Sequence, residues 1–121
     1  MKWLKRYKWT SLLVVIVFLL IIMPGRDIPS IGIPHLDKVV HFCMFGSINF
    51  MFYLEYYFNN KCLPRFINPC IYLTIYGTLT EIVQYFVPGR SCDIKDLMAD
   101  TLGILIVGLI MHTQLKKKLP S

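Results

Sequence analysis

Acidic residues are few in this chain, seven Asp and Glu against thirteen Lys and Arg, and charges of both signs fill only 17% of its 121 positions. Soluble domains carry about a quarter of their residues as charges. With 55% of residues hydrophobic, the composition argues against a water-soluble fold. The formal charge of +6 would suit nucleic acid, but no basic stripe with interleaved aromatics is present. Lys and Arg collect at the two ends and in one short connector, so no nucleic-acid partner is expected. Neither CxxC nor HExxH occurs, so no standard zinc motif is written into the chain. Cys43, Cys62, Cys70 and Cys92 are scattered over separate segments and imply no disulfide framework. No internal repeat is visible, which sets aside the inverted-repeat build common in transporters. A small-x-small cleavage site is also missing after the first apolar run, where "IIMPGRDIPS" follows. The basic start "MKWLKRYK" and the run behind it therefore read as a retained helix rather than a cleaved signal peptide.

What the chain does have is four long apolar stretches, read as helices over about 7–23, 36–58, 66–87 and 93–115 of one domain, 1–121. The uncharged part of the first, "WTSLLVVIVFLLIIM", covers about 22 Å at helical rise against a hydrocarbon core of roughly 30 Å. Trp3, Tyr7 and the flanking lysines can make up the difference at the interface. In lipid an open segment satisfies its own backbone only as a helix. The expected fold is therefore all-α, an integral membrane bundle of four transmembrane helices in the lipid bilayer. The connectors "PGRDIPSIGIPHL", "NNKCLPRFINP" and "VPGRSC" carry the Pro, Gly and Asn turn signals. Lys2, Lys5, Arg6, Lys8, Lys61, Arg65 and Lys116 to Lys118 fall on one side, and Arg26, Lys38, Arg90 and Lys95 on the other. The positive-inside rule then makes both termini cytoplasmic and gathers the start of the second stretch, the end of the third and the start of the fourth at the outer face.

The acids are just as unevenly placed. Asp27, Asp37, Glu81, Asp93, Asp96 and Asp100 lie in or near the outer half, which leaves only Glu55 near the cytoplasm. An ionisable group costs about 2.5 to 3.5 kcal/mol at the centre of a membrane helix, so several together point to a functional site. Counted from the outer boundaries, His41, Glu81 and Asp100 sit about 7, 10 and 10 Å deep, which brings three helices to one layer. Asp37 and His41 share one helical stripe, as do Glu81 and Gln84, and Asp93, Asp96, Asp100 and Gly103 share a third. Ala99 and Gly103 form a small-xxx-small pair that would let a neighbouring helix approach the carboxylates. The pattern predicts a polar pocket open to the outside. Simpler roles compete for single residues. Asp37 and Asp93 stand where N-caps belong, Lys38 and Lys95 can snorkel, Arg90 can be a loop charge, and Thr74, Gly77 and Thr78 can pack.

"DKVVHF" at the start of the second helix, "EIVQYFVPGR" closing the third and "DIKDLMADTLG" opening the fourth resemble, in order and spacing, the VanZ-like family of bacterial integral membrane proteins. The resemblance covers the chain from about residue 36 to residue 109. It implies a compact multi-pass protein of the bacterial cytoplasmic membrane, whose namesake is associated with resistance to the glycopeptide teicoplanin. It implies no settled chemistry. Carried over by position, the family motif falls on Asp37, Lys38, His41, Glu81, Gln84, Arg90, Asp96 and Asp100, with Asp100 charged where the family often has Asn.

Two functions fit these residues. In the first, Asp37, Lys38, His41, Glu81, Gln84, Arg90, Asp93, Asp96 and Asp100 form a ligand-binding face for a cell-wall precursor, a lipid-linked component or a glycopeptide. In the second, the chain is a membrane hydrolase or transferase with His41, Glu81 or Asp96 in catalysis, and Arg90 with Lys38 holding a phosphate or carboxylate. Ser91 and Cys92 belong to no nucleophile elbow, so an activated water would have to attack. No cofactor is expected; a divalent metal assembled on His41, Glu81 and the aspartates of the fourth helix is chemically possible, but carboxylates with a single histidine are a weak metal signal. The charge asymmetry predicts that a membrane-impermeant thiol reagent applied from outside labels Cys92 and leaves Cys62 unlabelled; the reverse pattern would turn the bundle over.

Overall fold

The computed structural model describes residues 2–23, 36–89 and 94–119, the side chains at 36 and 37 excepted. Among the described residues all regular structure is helical: α1 (Lys2–Arg6), α2 (Lys8–Ile22), α3 (Leu36–Asn60), α4 (Ile67–Tyr85) and α5 (Ile94–Lys116). The count is five rather than four because α1 forms ahead of the first expected helix (about 7–23), set off from α2 by Tyr7 at φ −123° and ψ 40°. The backbone nevertheless carries across the break, since Tyr7 N–H donates to Trp3 O at 3.0 Å and Ser11 N–H to Tyr7 O at 2.8 Å.

Helix ends follow local chemistry. Met23 precedes Pro24 and is extended, at φ −61° and ψ 130°, because the proline ring disfavours helical backbone in the residue before it. Pro69 lies in the first turn of α4, where its missing N–H would have had no intrahelical partner anyway. Gly89, just past Pro88, takes a φ of 77°, a conformation costly for residues with a Cβ. α2 begins without a capping side chain of its own. Glu55, on α3, supplies one. Its carboxylate accepts from Thr10 N–H and Thr10 Oγ1 at 2.6 Å each and from Trp9 N–H at 3.3 Å. A carboxylate at this position also meets the positive end of the helix dipole.

The pair α3 and α5 packs most extensively, with α4 against α5 and α2 against α3 around it. Glycines make the close approach. A Cβ on Gly103 would run into the carbonyl oxygen of Phe42, one on Gly46 would lie 2.9 Å from Val107 Cγ2, and one on Gly108 would lie 2.8 Å from Asn49 Nδ2. Small residues at such crossings let helix backbones touch. Tyr76 ties α4 to α2 by donating to Val14 O at 2.7 Å.

Val17, Ile21, Phe45, Ile48, Cys70, Leu73 and Ile104 form the apolar core, with Tyr53, Met111 and Leu115 as a second cluster. The same interior buries Thr10, His41, Asn49, Thr80, Glu81, Gln84, Asp96 and Asp100. The outside is apolar. Leu12, Val15 and Leu19 on α2, Ile71, Ile75, Leu79 and Ile82 on α4, and Met98, Leu102 and Leu109 on α5 are all exposed. No described helix is long and apolar enough to cross a membrane.

The crossing predicts an order of damage. Alanine normally stabilises a helix relative to glycine by about 0.5 to 1 kcal/mol. Gly103→Ala is expected instead to lower stability by about 1 to 3 kcal/mol, because a backbone carbonyl cannot swing away from the new methyl. Gly46→Ala meets a side chain and should cost less. Thermal unfolding of both variants in the same lipid or detergent would check the order.

Candidate functional site

Three helices deliver the site. α3 places Lys38 and His41 about one turn apart, α5 does the same with Asp96 and Asp100, and α4 contributes Glu81. His41 is 2% exposed and Asp100 fully buried, so the imidazole is enclosed among carboxyl groups. Its Nδ1 lies 2.9 Å from Asp100 Oδ1 and 3.9 Å from Glu81 Oε1, while Nε2 lies 3.7 Å from Asp96 Oδ2. The nearer Asp100 contact is a hydrogen bond. Lys38 Nζ pairs with the other oxygen of Asp96 at 2.8 Å. The Lys38 side chain keeps 22% of its surface exposed, which makes it the edge of the cluster. Asp100 Oδ2 is buried and accepts no hydrogen bond.

Each residue singled out in the sequence can now be placed. Lys38, His41, Glu81, Asp96 and Asp100 come together as described. Gln84 is buried, and its Nε2 donates to the carbonyl of Ile21 at 3.5 Å, which fastens α4 to the end of α2. Asp37 is the second residue of α3 (Leu36–Asn60). Arg90, Ser91, Cys92 and Asp93, like the Asp37 side chain, lie outside the described residues. His41, Glu81, Asp96 and Asp100 are all buried, and residues 90 to 93, expected at the rim of the pocket, lie outside the described residues. Of the expected anion clamp, Lys38 pairs with Asp96 and Arg90 lies outside the described residues.

Some interior residues went unnoticed in the sequence. Thr80 is buried and donates to Gly77 O at 2.7 Å, while Thr78 is exposed and donates to Thr74 O at 2.9 Å. The stripe Gly77, Thr80, Glu81 and Gln84 was the available signal. Asn49, two turns along α3 from His41, donates to Ile104 O at 2.7 Å. Gly77 packs beside the site, where a Cβ would sit 3.4 Å from Asp100 Oδ2, at the edge of ordinary contact.

A family model described as VanZ/LLP1 matches residues 2–115. The chain belongs to the VanZ/LLP1 family. It is also similar to an uncharacterized protein of the fission yeast Schizosaccharomyces pombe, 27% identical over 114 residues that make up 90% of this chain and 69% of that protein. No solved structure matches it significantly. In this VanZ-family protein the three sequence blocks read as motifs converge on one imidazole. An imidazole so enclosed can pass or hold a proton between carboxylates on separate helices, and the oxygens around it attract a cation rather than an anion.

The Lys38–Asp96 pair predicts a coupled stability response. Lys38→Met should cost about 1 to 3 kcal/mol by leaving a buried carboxylate without its ammonium, less than a fully buried pair because water reaches Lys38. Adding Asp96→Asn should recover part of the loss. Denaturant unfolding of both singles and the double variant would measure the coupling.

Proposed function

We propose that this VanZ-family protein is a multi-pass protein of the cell-envelope membrane. Its helices cross the bilayer with both termini cytoplasmic and the His41 cluster toward the outer face. The observation that carries the reading is the inverted polarity of the bundle, with carboxylates and an imidazole inside and Ile, Leu, Val and Phe side chains outside. Soluble monomers rarely expose apolar patches beyond a few hundred Å², whereas lipid accepts such a surface without cost. Averaging along each helix hides this, because the inward polar residues of α3, α4 and α5 dilute the apolar outer faces. The 25 and 23 residues of α3 and α5 extend about 37 and 34 Å at helical rise, enough for the hydrocarbon core, and the 19 of α4 extend about 28 Å, nearly its thickness.

In this reading the acidic cluster holds a lipid-linked component of the envelope, and that binding contributes to glycopeptide resistance of the teicoplanin type. Asp100 and Glu81 favour a cationic group on the ligand, such as an amine. A relative in a fission yeast favours a ligand found in eukaryotes as well as bacteria, and thus a lipid-linked one over the glycopeptide itself. A second reading, a hydrolase or transferase acting on such a component, is favoured by the approach of His41 Nδ1 to Asp100 and Glu81. There His41 is the acid or base and water the nucleophile.

The test is teicoplanin susceptibility of a sensitive bacterial host making equal amounts of each variant, with alkaline extraction of membranes to check integration. Glu81→Gln and His41→Gln should each abolish protection while the protein stays in the membrane, and the double variant should be no worse than either single. Protection that falls in graded steps with protein abundance would show the residues to be structural.

A further inference from the structure

The geometry points to a divalent metal site of zinc type formed by His41, Glu81 and Asp100. Each offers a ligand atom within 4.8 Å of the others, and all three are buried. Donor atoms around a zinc ion at about 2.0 to 2.2 Å lie within such a separation. The helices already hold the donors together, so small rotations of side chains complete the set.

Two features beyond the cluster itself point the same way. Asp100 is fully buried, and its Oδ2 accepts no hydrogen bond. Burying a carboxylate oxygen without a partner is costly, and a cation is the partner that an acceptor-only group can take. The second feature is the far side of the imidazole. Nε2 lies 3.7 Å from Asp96 Oδ2, and Asp96 is itself held by Lys38. Metal-bound histidines usually direct their free N–H at a carboxylate, which sets the tautomer and turns the lone pair toward the metal. With the ion bound, the neutral ring carries its proton on Nε2, facing Asp96, and presents the Nδ1 lone pair to the ion between Glu81 and Asp100. The proton that joins Nδ1 to Asp100 without the ion moves to Nε2, so no proton is lost and the ring stays neutral.

One nitrogen and two carboxylate oxygens favour zinc or a similar first-row ion over magnesium or calcium, which prefer all-oxygen sets. Three protein donors leave one position of a tetrahedral ion open to water or to a ligand oxygen. The inference goes beyond the binding reading, because it holds whichever envelope component the cluster meets.

The full chain, purified in detergent, stripped with a chelator and titrated with Zn²⁺ alone, should bind one ion per chain. Zinc-edge X-ray absorption of the wild type should show a first shell of nitrogen and oxygen with a single imidazole. His41→Gln and Asp100→Asn should each weaken binding by at least 100-fold, and Asp96→Asn by about 10- to 100-fold through the ring it orients. His112→Gln, away from the cluster, should bind as the wild type does. Absence of binding, a sulfur shell from the thiols, or unchanged affinity in His41→Gln would each overturn the site. The absorption spectrum needs no variant, so it decides even where a substitution prevents folding. Zinc binding measured this way is independent of teicoplanin protection, and either result can fail without the other.

Discussion

The contact on which the site depends is the one where Gly103 of α5 lies against the Phe42 carbonyl of α3. Phe42 follows His41 directly, and Gly103 comes three residues after Asp100. Backbone contact at this point sets how far the imidazole stands from the two α5 carboxylates. Any side chain at 103 would push the helices apart, and the 2.9 Å His41–Asp100 hydrogen bond could not survive a separation of even an ångström. Gly46 and Gly108 continue the approach toward the other end. The crossing is therefore held along its length rather than pivoting at one place.

Once α3 and α5 are joined this closely, the remaining helices act as covers. α4 packs Gly77 beside Asp100 and adds Glu81. α2 contributes little chemistry and is fastened by polar groups at several levels: Glu55 at its start, Tyr76 at Val14 and Gln84 at Ile21. Polar ties of this kind hold helices together where the surroundings are as apolar as the side chains, because the usual hydrophobic drive between helices is then weak. The chemistry and the means of association both come from the same few polar residues.

The sequence by itself determined the helices, because their limits come from short-range effects: apolar runs, prolines at 24, 64, 69 and 88, and the turn residues around them. It also determined that His41, Glu81 and Asp100 belong to one layer, since depth along a helix is counted by residue number from its end. Only the tertiary structure decided their partners. Lys38, legible as a snorkelling charge or an anion clamp, meets Asp96, and the Gln84 amide reaches the Ile21 carbonyl. Glu55, the acid that seemed isolated, became the cap of a helix some 45 residues earlier. Gly77, readable only as a packing residue, proved to pack against Asp100 Oδ2. The reason is geometric. Periodicity reports which face of a helix is polar, but not the rotation and spacing of the neighbour that meets it, and differences of an ångström or two between side chains on separate helices decide which atoms bond.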